Sequence, residues 1–139
     1  MTPSEHPLLP TTVYLDLETT GFGNSAEIVE IAIMGDDGII YLNSLVKPQQ
    51  RQEWPQAEAI HGISPDMVRD SPTLDDLRPT IVDALYGTET VIYNASFDAR
   101  FINAEINHAS RVHCAMREYR SFFGLKRWIK LQDAALHIM

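Results

Sequence analysis

The run Val13-Tyr14-Leu15-Asp16-Leu17-Glu18-Thr19-Thr20-Gly21-Phe22 sets two carboxylates two residues apart inside an apolar stretch. Side chains alternate faces along a β-strand, so Asp16 and Glu18 project to the same side, about 7 Å apart at the usual rise. On a buried face, two such anions repel each other and lose hydration, and a cation that satisfies both makes the pair tolerable. Hard oxygen ligands of this kind suit Mg²⁺ or Mn²⁺. The same alternation admits a second reading, in which Val13, Leu15 and Leu17 face the core and the acids lie on an ordinary solvated face.

A second acidic position bears on that choice. The apolar Val91-Ile92-Tyr93 leads into Asn94-Ala95-Ser96-Phe97-Asp98-Ala99-Arg100-Phe101-Ile102, which reads as a strand ending in a helix start. Ser96 is the expected N-cap, with Phe97, Phe101, Ala104 and His108 on one helical face. Asp98 then falls in the first turn, where the positive end of the helix dipole favours its ionised form. It is a third candidate metal carboxylate, and equally a residue type common at helix starts for stability alone.

The rest of the chain supplies a frame for these acids. Strands are expected at Val13–Leu17, Glu27–Met34 and Ile39–Val46, the last two joined as an antiparallel hairpin by Gly35-Asp36-Asp37-Gly38. The stretch from Lys47 to Ala59 is polar, contains Pro48 and Pro55, and reads as a loop. Thr73 caps a helix with Asp76 three residues on, and Leu74, Leu77, Ile81 and Leu85 form its apolar face. Pro79 is expected to kink or restart that helix. Thr90–Tyr93 and Val112–Ala115 read as strands, and Ser96–His108, Met116–Phe123 and Leu131–Ile138 as helices. Three leading strands followed by alternating helix and strand give an α/β chain with a mixed sheet and flanking helices.

At 139 residues and 45% hydrophobic content, the chain fits one domain from residue 11 to 139, preceded by a flexible lead-in over residues 1–10. A single cysteine, Cys114, excludes an internal disulfide and fits a reducing cytosol, so the expected location is cytoplasmic. No apolar run reaches the length of a membrane span, and no membrane partner is expected. The net charge of −8 argues against tight, long-tract nucleic-acid binding. It leaves room for an enzyme that grips only the end of a strand, because divalent ions then neutralise the reacting phosphate. Arg117, Arg120, Lys126, Arg127 and Lys130 concentrate positive charge in the last quarter, as a backbone contact or a solvated helix face. Trp54 and Trp128 receive no role.

Taken in order, these strings resemble the DEDD family of 3′-to-5′ exonucleases, the family of ribonuclease T and of the epsilon proofreading subunit of DNA polymerase III. Leu15-Asp16-Leu17-Glu18-Thr19-Thr20-Gly21 resembles its first motif and Asn94-Ala95-Ser96-Phe97-Asp98 its second. Ile60-His61-Gly62-Ile63-Ser64 is similar to the family's His-Gly-Ile loop, with Pro65-Asp66-Met67-Val68 as the short helix after it. His113-Cys114-Ala115-Met116 and Lys130-Leu131-Gln132-Asp133-Ala134-Ala135 resemble the strand and helix that precede its last motif. The resemblance implies a ribonuclease H-like sheet with the first strand central and the acids gathered at one edge.

One departure stands beside the match. The family's third motif, a His followed five residues later by an Asp, is expected after the helix at Leu131–Ile138, and the sequence stops at Met139. The general base and the fourth metal carboxylate are therefore missing, and a truncated C-terminal part is the expected explanation. His61 with Asp66 and His113 with Glu118 have the bare spacing, but neither pair stands in the right order.

The resemblance implies hydrolysis of terminal phosphodiesters at a single-stranded 3′ end of DNA or RNA by two Mg²⁺ or Mn²⁺ ions, with Asp16, Glu18 and Asp98 as catalytic metal ligands. Thr19, Thr20, Gly21, Phe22, His61, Asn94 and Phe97 are the candidate substrate residues. Phe22 either stacks on a base or folds back onto the core, and His61 either touches substrate or fixes its loop by a hydrogen bond. Without the third motif, catalysis is expected to be severely weakened. The alternative is a weakened or inactive domain of this fold that binds nucleic acid or a polymerase, and a polymerase or a second copy is the expected protein partner.

Overall fold

The computed structural model describes residues 11–122, and the expected lead-in, the helix at Leu131–Ile138 and Trp128 lie outside the described residues. Five strands form one sheet: β1 (Thr12–Thr19), β2 (Ile28–Gly35), β3 (Ile40–Leu45), β4 (Glu89–Ile92) and β5 (Arg111–Cys114). Their spatial order is β3-β2-β1-β4-β5, so β1 is central. It pairs antiparallel with β2 and parallel with β4, and β2–β3 is the antiparallel hairpin expected from the Gly-Asp-Asp-Gly turn. Among the described residues four α-helices accompany the sheet, α1 (Pro55–His61), α2 (Leu74–Leu85), α3 (Ala95–Ile106) and α4 (Ala115–Phe122), with one 3₁₀ turn at Asp66–Val68. This is the mixed ribonuclease H-like arrangement.

The central strand alternates cleanly. Val13, Leu15, Leu17 and Thr19 are buried, and Tyr14 and Asp16 between them are exposed. The buried side packs against Ile81 and Leu85 of α2 and Ile102 and Ile106 of α3, which excludes most water from that face of the sheet. Asp16 and Glu18 therefore do not occupy the sheet's buried face: Asp16 is open to solvent and Glu18 half-buried.

Three local expectations need correction. Residues 55–61 are helical, because Pro55 sits at the first helical position, where its missing N–H costs nothing, and Gly62 closes the end with a φ of +78°. Trp54, just before this helix, is buried and donates its ring N–H to the Ile63 carbonyl at 2.8 Å. In α2 the helix runs through Pro79 without a break. The proline, sixth of the twelve residues, removes one backbone hydrogen bond from the middle of the helix. The Thr73–Asp76 capping box and the burial of Ile81 and Leu85 are present to offset that loss.

The third correction concerns α3. Asn94, not Ser96, occupies the N-cap position, and the Ser96 hydroxyl lies 3.2 Å from the Asn94 side-chain oxygen. Its buried residues are Asp98, Ile102, Glu105 and Ile106, while Ala104 and His108 are exposed. The inward face is thus rotated by about one residue from the apolar stripe. Two acids turn inward under opposite conditions: Glu105 accepts from Arg78 Nε at 2.8 Å, whereas Asp98 lies near Asp16 and Glu18 of β1, which repel its charged form. The non-helical backbone at Ile102, φ −133° and ψ 35°, bends the helix where that side chain is fully buried.

Candidate active site

The last register pair between β1 and β4 is Leu15 with Ile92, so β1 continues from Asp16 to Thr19 beyond its parallel neighbour. The chain leaves β4 and enters α3 after only Tyr93 and Asn94, which starts the helix beside that overhang. The backbone N–H groups of Phe97 and Asp98 both donate to the Asn94 carbonyl, which fixes the first turn and leaves Asp98 only 7% exposed. Asn94 thus serves the geometry of the helix start.

Three carboxyl groups share one field there. Burial pushes the Asp98 carboxyl up to about 7, and the nearby Asp16 and Glu18 add to the shift. Glu18 is raised by burial, then by Asp16 and by Glu30, its partner across the β1–β2 pair, with His61 opposing. Although Asp16 is exposed as a residue, partial loss of hydration at its carboxyl raises it, offset in part by a backbone hydrogen bond from Leu17. Crowded, partly dehydrated oxygen donors favour a hard divalent cation, which removes both penalties at once. The donor chemistry fits Mg²⁺ or Mn²⁺. Among the described residues, however, no three Asp, Glu, His or Cys side chains are placed to hold one ion together.

Beside Glu18 opens a cleft of about 210 Å³. One wall is the end of β1 and its loop, from Leu17 through Thr19, Thr20 and Gly21 to Phe22, and the other is Gln56, Ala57, Ile60 and His61 of α1, with Phe97 of α3 also lining it. Six of the seven expected substrate residues therefore meet in one place, and Asn94 is the exception. Phe22 is 76% exposed, so it is not folded into the core; its ring lies 5.6 Å from that of Phe97. Thr19 and Thr20 close the loop, Thr19 Oγ1 donating to the Gly21 carbonyl at 2.8 Å and Thr20 Oγ1 accepting from the Glu27 N–H at 3.0 Å. His61 fixes its surroundings as well, with Nε2 2.9 Å from the Thr19 carbonyl oxygen.

Gln56 and Ala57 were not expected at the site, because the segment up to Ala59 reads as a loop, and Ile60, read as part of the His-Gly-Ile loop, was not among the named site residues. The signal for them was Pro55 seven residues before Gly62, a helix start and stop. A larger polar hollow of about 420 Å³, bordered by Lys47, Arg78 and Arg100, contains none of the three acids in its walls.

Neither His-acid pair stands with the three acids. Asp66 is ion-paired with Arg69 in an exposed turn, while His61 bonds to Thr19. His113 on β5 does meet Glu118, at 3.1 Å, and Glu89, at 3.2 Å, but it sits two strands away from β1 and outside the cleft. Cys114, half-buried, has its Sγ 3.4 Å from the Tyr93 carbonyl oxygen and carries no nucleophile's surroundings. No helix among the described residues is long and apolar enough to cross a membrane.

Comparison with known proteins agrees with this geometry. The sequence pattern of the exonuclease family of ribonuclease T matches residues 13–132. The chain is 37% identical to an uncharacterized exonuclease, CP81, of Escherichia phage 186, over 90% of this chain and 73% of that protein. It is 29% identical to the epsilon subunit of DNA polymerase III from Escherichia coli K12, over 71% of this chain and 44% of the subunit, so it spans less than half of that relative. Among solved structures, exonuclease X in complex with 5′ overhanging duplex DNA superposes with a TM-score of 0.63 at 33% identity, covering 85% of this chain and 68% of that one. With its first two acidic motifs meeting at the end of a central strand and its sequence matched over most of its length, the chain belongs to the DEDD exonuclease family.

Proposed function

We propose that this chain hydrolyses terminal phosphodiesters of DNA or RNA in the 3′-to-5′ direction with the help of two divalent ions. The observation that carries the reading is the buried Asp98, whose carboxyl is pushed to about 7 by burial and by two acids from a segment some eighty residues earlier. An arrangement that costly in the absence of a cation is expected where a cation is the intended partner. When bound, Mg²⁺ or Mn²⁺ would supply an activated water and neutralise the leaving oxygen. By family resemblance Asp16 would serve both ions, Glu18 the one nearest the nucleophile and Asp98 the other.

The chain's own residues supply the grip. The cleft beside Glu18 is walled by aromatic and aliphatic side chains, with Phe22 and Ile60 both more than three-quarters exposed, an arrangement suited to a flat base rather than to a charged group. A base held there would bring its phosphate toward the carboxylates. The few cations at this site accord with binding that depends on divalent ions.

The test is release of the 3′-terminal nucleotide from end-labelled oligonucleotides with Mg²⁺ or Mn²⁺. Digestion from the 3′ end that disappears with EDTA and with Asp16→Asn supports the reading, and cleavage that survives Asp16→Asn overturns it. A second reading is a binding module with weakened or no catalysis; it is favoured by the finding that, among the described residues, no three side chains are placed to share one ion. It predicts metal-independent oligonucleotide binding without cleavage. The polymerase partner is proposed only from likeness to a polymerase subunit and the homodimer only from the sequence; co-purification and molar mass in solution test them.

A further inference from the structure

We infer that Arg100 is a positioning residue that holds Phe22 in place to stack on the terminal base of the substrate strand; the inference rests on the exonuclease reading above. Phe22 is held by little burial, being 76% exposed, and it stands between two glycines. Gly21, at φ +156°, adopts a backbone conformation that side chains resist, and such freedom on its own would let the ring swing away from the cleft.

Arg100 removes that freedom. Its two terminal nitrogens donate to the carbonyl oxygens of Phe22 and Gly23, each at 3.0 Å, so one planar fork grips two successive peptide groups. The same guanidinium lies 5.4 Å from the centre of the Phe97 ring and 5.5 Å from that of Phe101. Phe97 in turn touches both Phe22, at 5.6 Å, and Phe101, at 5.3 Å. Arg100 stands two residues after Asp98 in α3, so one helix carries both the buried acid and the clamp on the stacking ring. The separation between base and carboxylates then becomes a property of the helix rather than of a loop.

The probe is a 5′-fluorescein-labelled hexathymidylate with a phosphorothioate at its terminal linkage, titrated in Mg²⁺ and followed by anisotropy. A matching strand that ends in an abasic sugar serves as the second probe. Arg100→Ala and Phe22→Ala are each expected to weaken binding roughly tenfold, the scale of one lost base stack. Their combination should be no weaker than Phe22→Ala alone, because Arg100 acts through that ring. Arg100→Lys should behave like Arg100→Ala, since one ammonium cannot fork across two carbonyls. On the abasic strand all of these variants should match the unsubstituted protein within twofold. Losses that multiply in the double variant, or full rescue by lysine, would show Arg100 acting on the strand itself or as a mere charge, and would overturn the inference. Should Arg100→Ala melt too low for titration, Arg100→Lys carries the same cycle. Absence of binding by the unsubstituted protein would remove the exonuclease reading and this inference with it, whereas binding with multiplicative losses removes this inference alone.

Discussion

The ring of His61 ties α1 to the end of β1: Nδ1 accepts the Ile63 N–H at 3.1 Å, and Nε2 lies 2.9 Å from the Thr19 carbonyl oxygen. Because Nδ1 accepts, the neutral ring carries its proton on Nε2 and donates it to Thr19. This bond joins the two walls of the cleft across 42 residues of sequence. His61→Ala leaves a half-buried carbonyl and an N–H without these partners, and should cost about 1–2 kcal/mol. Urea unfolding measures it, and an unchanged midpoint would mean the contact carries no weight.

Ile60 offers the converse case. It is 77% exposed at the rim of the cleft, so truncating it forfeits almost no buried area. Ile60→Ala should shift stability by less than about 0.5 kcal/mol. If the cleft receives a base, the same change should weaken oligonucleotide binding several-fold. A melting temperature that holds while affinity falls is the expected pattern, and unchanged affinity would place the base elsewhere.

The period-two logic of strands was enough to put Asp16 and Glu18 on one side of β1, but alternation alone says which residues share a face and not which face is covered. What covers β1 is decided by Ile81, Leu85, Ile102 and Ile106, residues 60 or more positions away. The same limit explains α3, where the apolar stripe through Phe97 and Phe101 was legible and the inward turn of Asp98 and Glu105 was not. Their burial depends on Arg78 and on β1, partners that local periodicity does not contain. Gln56 and Ala57 were hidden by a polar composition in which Pro55 read as a breaker although it begins a helix. Arg100 left no signal, because its acceptors are backbone oxygens 77 and 78 residues earlier.

Asp98 sets up a trade between stability and metal binding. Its carboxyl is buried beside two other acids, so replacing it with the isosteric, neutral amide removes repulsion and a desolvated charge. Asp98→Asn should therefore stabilise the metal-free protein at pH 8, by roughly 1–3 kcal/mol. The unsubstituted protein should gain stability from added Mg²⁺ or Mn²⁺, following the logarithm of metal concentration over Kd. The variant should gain much less. Thermal melts with EDTA and with a metal series test both halves; a variant that is less stable without metal, or that responds equally to it, would contradict the assignment.

His113 gives a pH dependence remote from the acids. On β5 its ring lies between Glu118 of α4, 3.1 Å from Nδ1, and Glu89 of β4, 3.2 Å from Nε2. Only the protonated ring can donate from both nitrogens, so hydrogen bonds to Glu118 and Glu89 raise its pKa above the ordinary 6.5. The folded state thus holds this proton more tightly than the unfolded chain does. The stabilisation is complete below the unfolded pKa near 6.5 and is lost as pH rises through the higher folded value. Asp98, also raised, makes stability fall with pH over a lower range, from its ordinary 3.8 to about 7, so the two are separated by substitution. His113→Asn should flatten the decline above about pH 6.5 and leave the lower limb in place. Glu118→Gln should flatten it in part, since Glu89 remains. Urea midpoints from pH 5 to 9 provide the comparison, and an undiminished upper decline in His113→Asn would mean that β5 and α4 are not joined through this ring.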